Sequence, residues 1–95
     1  MEVELGRIVI SKAGRDAGKL FVITGIIDEA SVYVADGNLR RIEKPKKKNI
    51  KHLEFTRGLS RELNKKLINK EKVTNAEIRK YLGEFEIDAI IDTGS

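Results

Sequence analysis

Residues 8–24 read IVISKAGRDAGKLFVIT, two apolar runs joined by a polar loop. Arg7–Ser11 and Leu20–Thr24 are rich in β-branched and aromatic side chains, which suit a pleated, packed surface. Both runs are apolar at nearly consecutive rather than alternate positions, which suits a barrel or sheet whose outer face is partly covered. The loop between them holds Gly14, Arg15, Asp16, Gly18 and Lys19. Two glycines four apart permit a sharp reversal and the close approach of another surface.

Outward from this hairpin the pattern stays β. A third strand is expected at Ser31–Ala35 (SVYVA) and a fourth at Leu39–Glu43 (LRRIE). Asp36-Gly37-Asn38 forms the turn between them, because glycine and asparagine take positive φ at low cost. Pro45 interrupts the pattern, and Ile50–Leu53 is expected as a short closing strand. Five short strands with tight turns in about fifty residues fit a small antiparallel barrel.

The periodicity changes after Thr56. Leu59, Leu63 and Leu67 fall four apart with Ile68 beside them, an apolar helical stripe that Ser60 can cap. Glu62 and Lys66 stand at ion-pair spacing. In a second helix, Thr74 and Glu77 make a capping box, and Val73 and Ile78 have hydrophobic-staple spacing. Ile78, Leu82 and Phe85 continue its apolar face, and Gly83 is expected to disturb or end it. The expected fold class is therefore mainly β, a barrel over residues 1–56 followed by a helical extension over 57–95, with residues 84–95 unassigned.

A chain of 95 residues builds one domain, with or without an appendage. It has no cysteine, so neither disulfides nor a thiolate metal cluster is available, and its single histidine, His52, makes no zinc site alone. The start, MEVELGRIVIS, is acidic and does not read as a secretory signal. No stretch approaches the roughly 20 apolar residues of a membrane span, so a cytoplasmic location is expected.

The net charge of +4 is unevenly placed. Arg40, Arg41, Lys44, Lys46, Lys47, Lys48, Lys51 and Arg57 share their segment with only Glu43 and Glu54, a net of +6, while the remainder sums to −2. Such concentration points to a polyanion partner, although charged runs are also ordinary solvated surface. Closely spaced lysines suit phosphates better than base edges, which ask for rigidly held Arg, Asn or Gln. In the first loop, Lys12, Arg15 and Lys19 supply charge, and exposed amides around Gly14 and Gly18 can meet phosphate oxygens. Asn49 and His52 can add hydrogen bonds.

The loop does not match a nucleotide-binding phosphate loop, since only three residues separate Gly14 from the Gly18-Lys19 pair and Leu20 follows. The aromatic residues, Phe21, Tyr33, Phe55, Tyr81 and Phe85, are too few and too scattered for a base-stacking platform. Phe21 is expected in the core and Tyr33 at the rim. Ser11 has no base near it in sequence, and Asp16, Asp28 and Asp36 sit in or beside turns, so no catalytic constellation stands out.

Residues Gly6 to Leu53 resemble KOW-type ribosomal proteins of the L14e, L6e and L27e group, and look closer still to small bacterial L14e-like members. GRIVISKAGRDAGKLFVI, ADGNLRRIEKPKKKN and IKHL carry the resemblance, with Gly18 at the family's characteristic glycine and Gly14 and Lys19 flanking it. The resemblance implies an SH3-like barrel that binds ribosomal RNA without catalysis or a cofactor.

The expected activity is thus binding of structured RNA, ribosomal by resemblance, through Lys12, Gly14, Arg15, Gly18, Lys19, Arg40, Arg41, Lys44, Lys46, Lys47, Lys48, Asn49, Lys51 and His52. Contacts to ribosomal proteins through the helices, no membrane association and a monomer in isolation complete the expectation. The competing class is a protein-interaction adaptor working through the barrel groove or the two helical stripes.

Overall fold

The computed structural model describes residues 3–94, with side chains through residue 86. Five strands, β1 (Arg7–Ser11), β2 (Leu20–Ile26), β3 (Ser31–Ala35), β4 (Lys46–Asn49) and β5 (Leu53–Leu59), precede two helices, α1 (Arg61–Ile68) and α2 (Asn75–Gly94). The strands pair antiparallel in the order β4-β3-β2-β1-β5. A meander of four strands whose fifth returns beside the first is the arrangement of a small SH3-like barrel. A 3-10 turn at Ile50–His52 carries the chain from β4 to β5. It is tied at one end by Ile50 N–H donating to Ala30 O (2.8 Å) and at the other by Lys12 N–H donating to His52 O (2.8 Å).

The consecutive apolar positions of β1 and β2 have a direct structural cause. Adjacent side chains on a strand point to opposite faces, and here each face has its own core. Val9, Phe21, Ile23, Val32, Val34 and Leu53 fill the barrel interior. Ile8, Val22 and Ala35 point the other way and pack with Leu63, Val73, Ile78 and Leu82 from the helical half. The register places Ile8 opposite Val22 and Val9 opposite Phe21, so each cross-strand pair feeds one of the two cores.

The helical signals act as read. Ser60 Oγ accepts from Leu63 N–H at 3.1 Å. Thr74 N–H donates to Glu77 Oε2 (2.7 Å) while Glu77 N–H donates to Thr74 Oγ1 (3.2 Å), a reciprocal capping box. Lys66 reaches Glu62 at 3.7 Å and also bonds Glu77, which ties α1 to α2. The Glu77 carboxyl is held below its ordinary range by the Lys66 ammonium and then by the Thr74 amide.

Several boundaries differ from the sequence reading. Leu39–Glu43 is a turn segment, not the fourth strand, and the strand lies at Lys46–Asn49 instead. Ile50–His52 is a 3-10 turn, and the closing strand runs from Leu53 to Leu59. Leu59 therefore belongs to β5 and not to the first helical stripe. Gly83 neither ends nor interrupts α2. One glycine costs a helix only about 1 kcal/mol, and packed Leu82 and Phe85 on either side hold the helix to the sheet. Because Leu63, Ile78 and Leu82 are buried within the fold, those parts of the stripes are not open for an outside partner. No described helix is long and apolar enough to cross a membrane.

Candidate nucleic-acid interface

The first loop begins where β1 ends and makes one 3-10 turn, Gly14–Asp16. Gly18 has φ of +88°, a left-handed conformation that an L side chain adopts only with strain, and the space beside it is open. Gly18 N–H donates to Ser11 O (2.7 Å), Lys19 N–H to Asp16 O (2.9 Å) and Ala17 N–H to Gly14 O (3.2 Å). These amides are therefore committed inside the loop and are not presented to a phosphate. The loop instead displays the side chains of Lys12, Arg15 and Lys19, all exposed.

The lysine run is where the structure departs furthest from expectation. Directly opposite residues of an antiparallel pair share a face. Lys46 pairs with Val34 and Lys48 with Val32, both barrel-interior residues, whereas Lys47 pairs with the exposed Tyr33. Lys46 and Lys48 thus lie on the barrel-interior face of β4, and Lys47 lies on the opposite face. Lys48 is 8% exposed. Its Nζ donates to Ser11 Oγ (3.0 Å) and Ala13 O (3.5 Å) and lies 3.9 Å from Asp16 Oδ2.

Asp16 is the hub of this arrangement. Its carboxylate accepts a hydrogen bond from Lys46 and lies 3.9 Å from Lys19 Nζ. The hydrogen bond from Lys46, helped by the charges of Lys46, Lys48 and Lys19, holds the Asp16 carboxyl below its ordinary range. The first loop and β4, distant in sequence, are thereby brought into contact. The sequence showed Asp16 only as a turn residue.

The other expected residues fall into two groups. Lys51 and His52 are exposed on the 3-10 turn that the Lys12 amide grips. Asn49 caps that turn by accepting from Lys51 N–H at 3.0 Å, a structural role. Arg40, Arg41 and Lys44 are exposed on the β3–β4 connection, where they line an open cleft with Leu39, Glu43 and Pro45. Asn75 pins this connection from the start of α2. Its Nδ2 donates to both Glu43 carboxylate oxygens (2.9 and 3.1 Å), and its Oδ1 accepts from Ile42 N–H (2.8 Å). The Asn75 amide holds the Glu43 carboxyl below its usual range.

Arg79 adds to the same end of the molecule by donating to Gly37 O, and it lines a shallow cleft with Gly18, Lys19 and Asn38. Neither Asn75 nor Arg79 carried a sequence signal, because each acts across more than thirty residues on backbone or on a side chain in a turn. Among the described residues, no group of three or more His, Cys, Asp or Glu side chains is placed to hold a metal ion.

Barrel, helices and a cation-bearing loop make a small, mainly β domain with a C-terminal helical extension. No family model matches the chain. Among curated proteins it is 44% identical over 54 residues to the large ribosomal subunit protein eL14 of Desulfurococcus amylolyticus, covering 57% of this chain and 56% of that protein. It is 39% identical to eL14 of Methanococcus vannielii over 54 residues, covering 57% and 64%. With eL14 of Aeropyrum pernix the match extends to 82 residues at 34% identity, covering 86% of this chain and 75% of that protein. The chain belongs to the eL14 family of large-subunit ribosomal proteins. The matched proteins are archaeal, whereas the resemblance had pointed to bacterial members. In the Desulfurococcus and Methanococcus comparisons the match spans less than two thirds of the relative's length.

Proposed function

We propose that this protein binds structured ribosomal RNA without catalysis, as a cytoplasmic component of the large ribosomal subunit or a protein associated with it. The observation that carries this reading is the joining of the first loop, with its exposed Lys12, Arg15 and Lys19, to β4 within the segment of net charge +6. Membership of a family of large-subunit proteins supports it and leaves no enzymatic role to assign.

Lys12, Arg15 and Lys19 form the centre of the contact, with Gly14 and Gly18 giving the loop its low profile. Lys46, Lys51 and His52 extend it, and Arg40, Arg41 and Lys44 form a flanking group on the β3–β4 connection. Lys47 and Lys48 contribute less, one facing away and one buried. Asn49 acts by shaping the turn that carries Lys51. The barrel, whose last strand runs on to Leu59, supplies this surface, and α1 and α2 complete its outer core.

Binding of a structured ribosomal RNA fragment at two salt concentrations tests the reading. If about five phosphates are neutralised, affinity falls as roughly the 4.5 power of salt, about 500-fold for a fourfold increase. A Lys12→Gln, Arg15→Gln, Lys19→Gln variant is expected to bind at least tenfold more weakly, while Lys47→Gln binds nearly as the wild type does. Equal affinity for the triple variant would sink this placement of the surface. Cosedimentation with large ribosomal subunits distinguishes a ribosomal partner from RNA in general.

A further inference from the structure

Asp16 is the one acidic residue between Ile8 and Thr24, and it sits among cations. If the loop did nothing but attract phosphate, a carboxylate at its centre would oppose its purpose by lowering the local potential and competing for Lys46. The contacts show what it does instead. Asp16 lies in the 3-10 turn of the loop, and it gathers Lys46 and Lys48 from β4 and Lys19 from its own hairpin. Lys48, nearly removed from solvent, is also bonded to Ser11 Oγ and Ala13 O on either side of the start of that loop. The loop is thus fastened at its first residues by Lys48 and at its middle by Lys46. Its own hairpin bonds close it on itself but do not attach it to β4.

We propose that Asp16 is the positioning residue of the RNA-facing surface, its carboxylate clasping the first loop onto β4 so that Lys12, Arg15 and Lys19 are held in one arrangement beside Lys46. The inference rests on the RNA reading above. Two of the lysines in the 44–48 run then serve as anchors, and the RNA meets a loop that is already ordered. Ordering the loop in advance removes an entropic cost from binding. Charge and position make opposite predictions for loss of the carboxylate. On charge alone, Asp16→Asn raises the net charge by one, releases Lys46 and strengthens binding. If Asp16 positions the loop, the same change weakens it.

The test measures affinity of wild type and Asp16→Asn for one structured ribosomal RNA fragment over a salt series, with backbone amide exchange of the free proteins alongside. The expected result is binding at least fivefold weaker in Asp16→Asn, with a salt slope lower by about one, as expected when one phosphate contact is lost. Exchange at Ala17, Gly18 and Lys19 is expected to accelerate by at least tenfold while the β1–β2 core amides keep their protection. Binding as tight as wild type, or tighter, would overturn the proposal.

Asp16→Asn leaves Lys48 with a weakened partner set and can destabilise the fold. An Asp16→Asn, Lys48→Met variant therefore removes both charges together. It is expected to show the same weakened binding while still unfolding in one cooperative transition, and wild-type affinity in this variant would overturn the proposal as well. The exchange measurement separates the two readings. If the wild-type protein does not bind the RNA but Asp16→Asn still frees the loop, the RNA reading falls and the clasp stands. Unchanged loop protection removes the clasp whatever the RNA does.

Discussion

The β1–β2 hairpin and the segment from Leu39 to Leu53 are neighbours in one barrel, yet they are specified in opposite ways. The hairpin is held by apolar side chains at consecutive positions, each committed to one of two cores. In β4 the strand reads Lys-Lys-Lys-Asn, with no apolar residue to fix its register. What fixes it is a carboxylate thirty residues earlier, together with the valines of β3 that set which lysines face inward. The first region is specified locally, and the second is specified by its partners.

The largest effect is expected from breaking the hairpin. Phe21 is 1% exposed at the centre of the barrel interior, and Phe21→Ala should cost about 3–5 kcal/mol in urea unfolding. A loss below 1 kcal/mol would mean that the barrel core is not the main support of the fold.

Next comes the connection that precedes β4. Gly37 has φ of +76°, and a Cβ there would stand 2.5 Å from Asn75 O at the start of α2. Gly37→Ala is expected to destabilise by about 2–3 kcal/mol, since strain in the turn and a clash with helix backbone act together. Unfolding that matches wild type would show that the turn and α2 separate freely.

Lys48→Met removes the donor to Ser11 and Ala13 and should cost about 1–2 kcal/mol. Lys47→Met, one residue away on the exposed face, should change stability by less than about 0.5 kcal/mol. Equal effects in chemical denaturation would contradict the alternation that puts Lys48 over the barrel and Lys47 on the other side.

The smallest effect concerns pH. Asp16 has its carboxyl held below the ordinary value of 3.8 by Lys46. A carboxylate lowered on folding contributes stability that is present above its unfolded pKa and lost as pH falls through the folded one. Stability should therefore decline below about pH 4, and Asp16→Asn should make that acid limb shallower. Glu43 and Glu77, also lowered, will keep part of the decline. Identical acid limbs for the variant and the wild type would show that the Lys46 pair adds nothing to folding.

Elements whose signals are local were legible in the order of residues alone. The β1 and β3 bounds, a partly covered outer face of the barrel, the Ser60 cap and the Thr74–Glu77 box all follow from spacings of a few residues. The position of β4 came from the fold, because Leu39–Glu43 looks more strand-like than the lysine run in composition but has no partner to pair with in the turn it occupies. The fold also decided the fate of each cation. A lysine's exposure depends on which face its strand turns outward and on whether a carboxylate waits there, and neither is written within reach of the residue. The sequence could count the charges of a candidate RNA surface, but only the fold assigned Lys46 and Lys48 to the clasp on Asp16 and left Lys12, Arg15 and Lys19 on the outside.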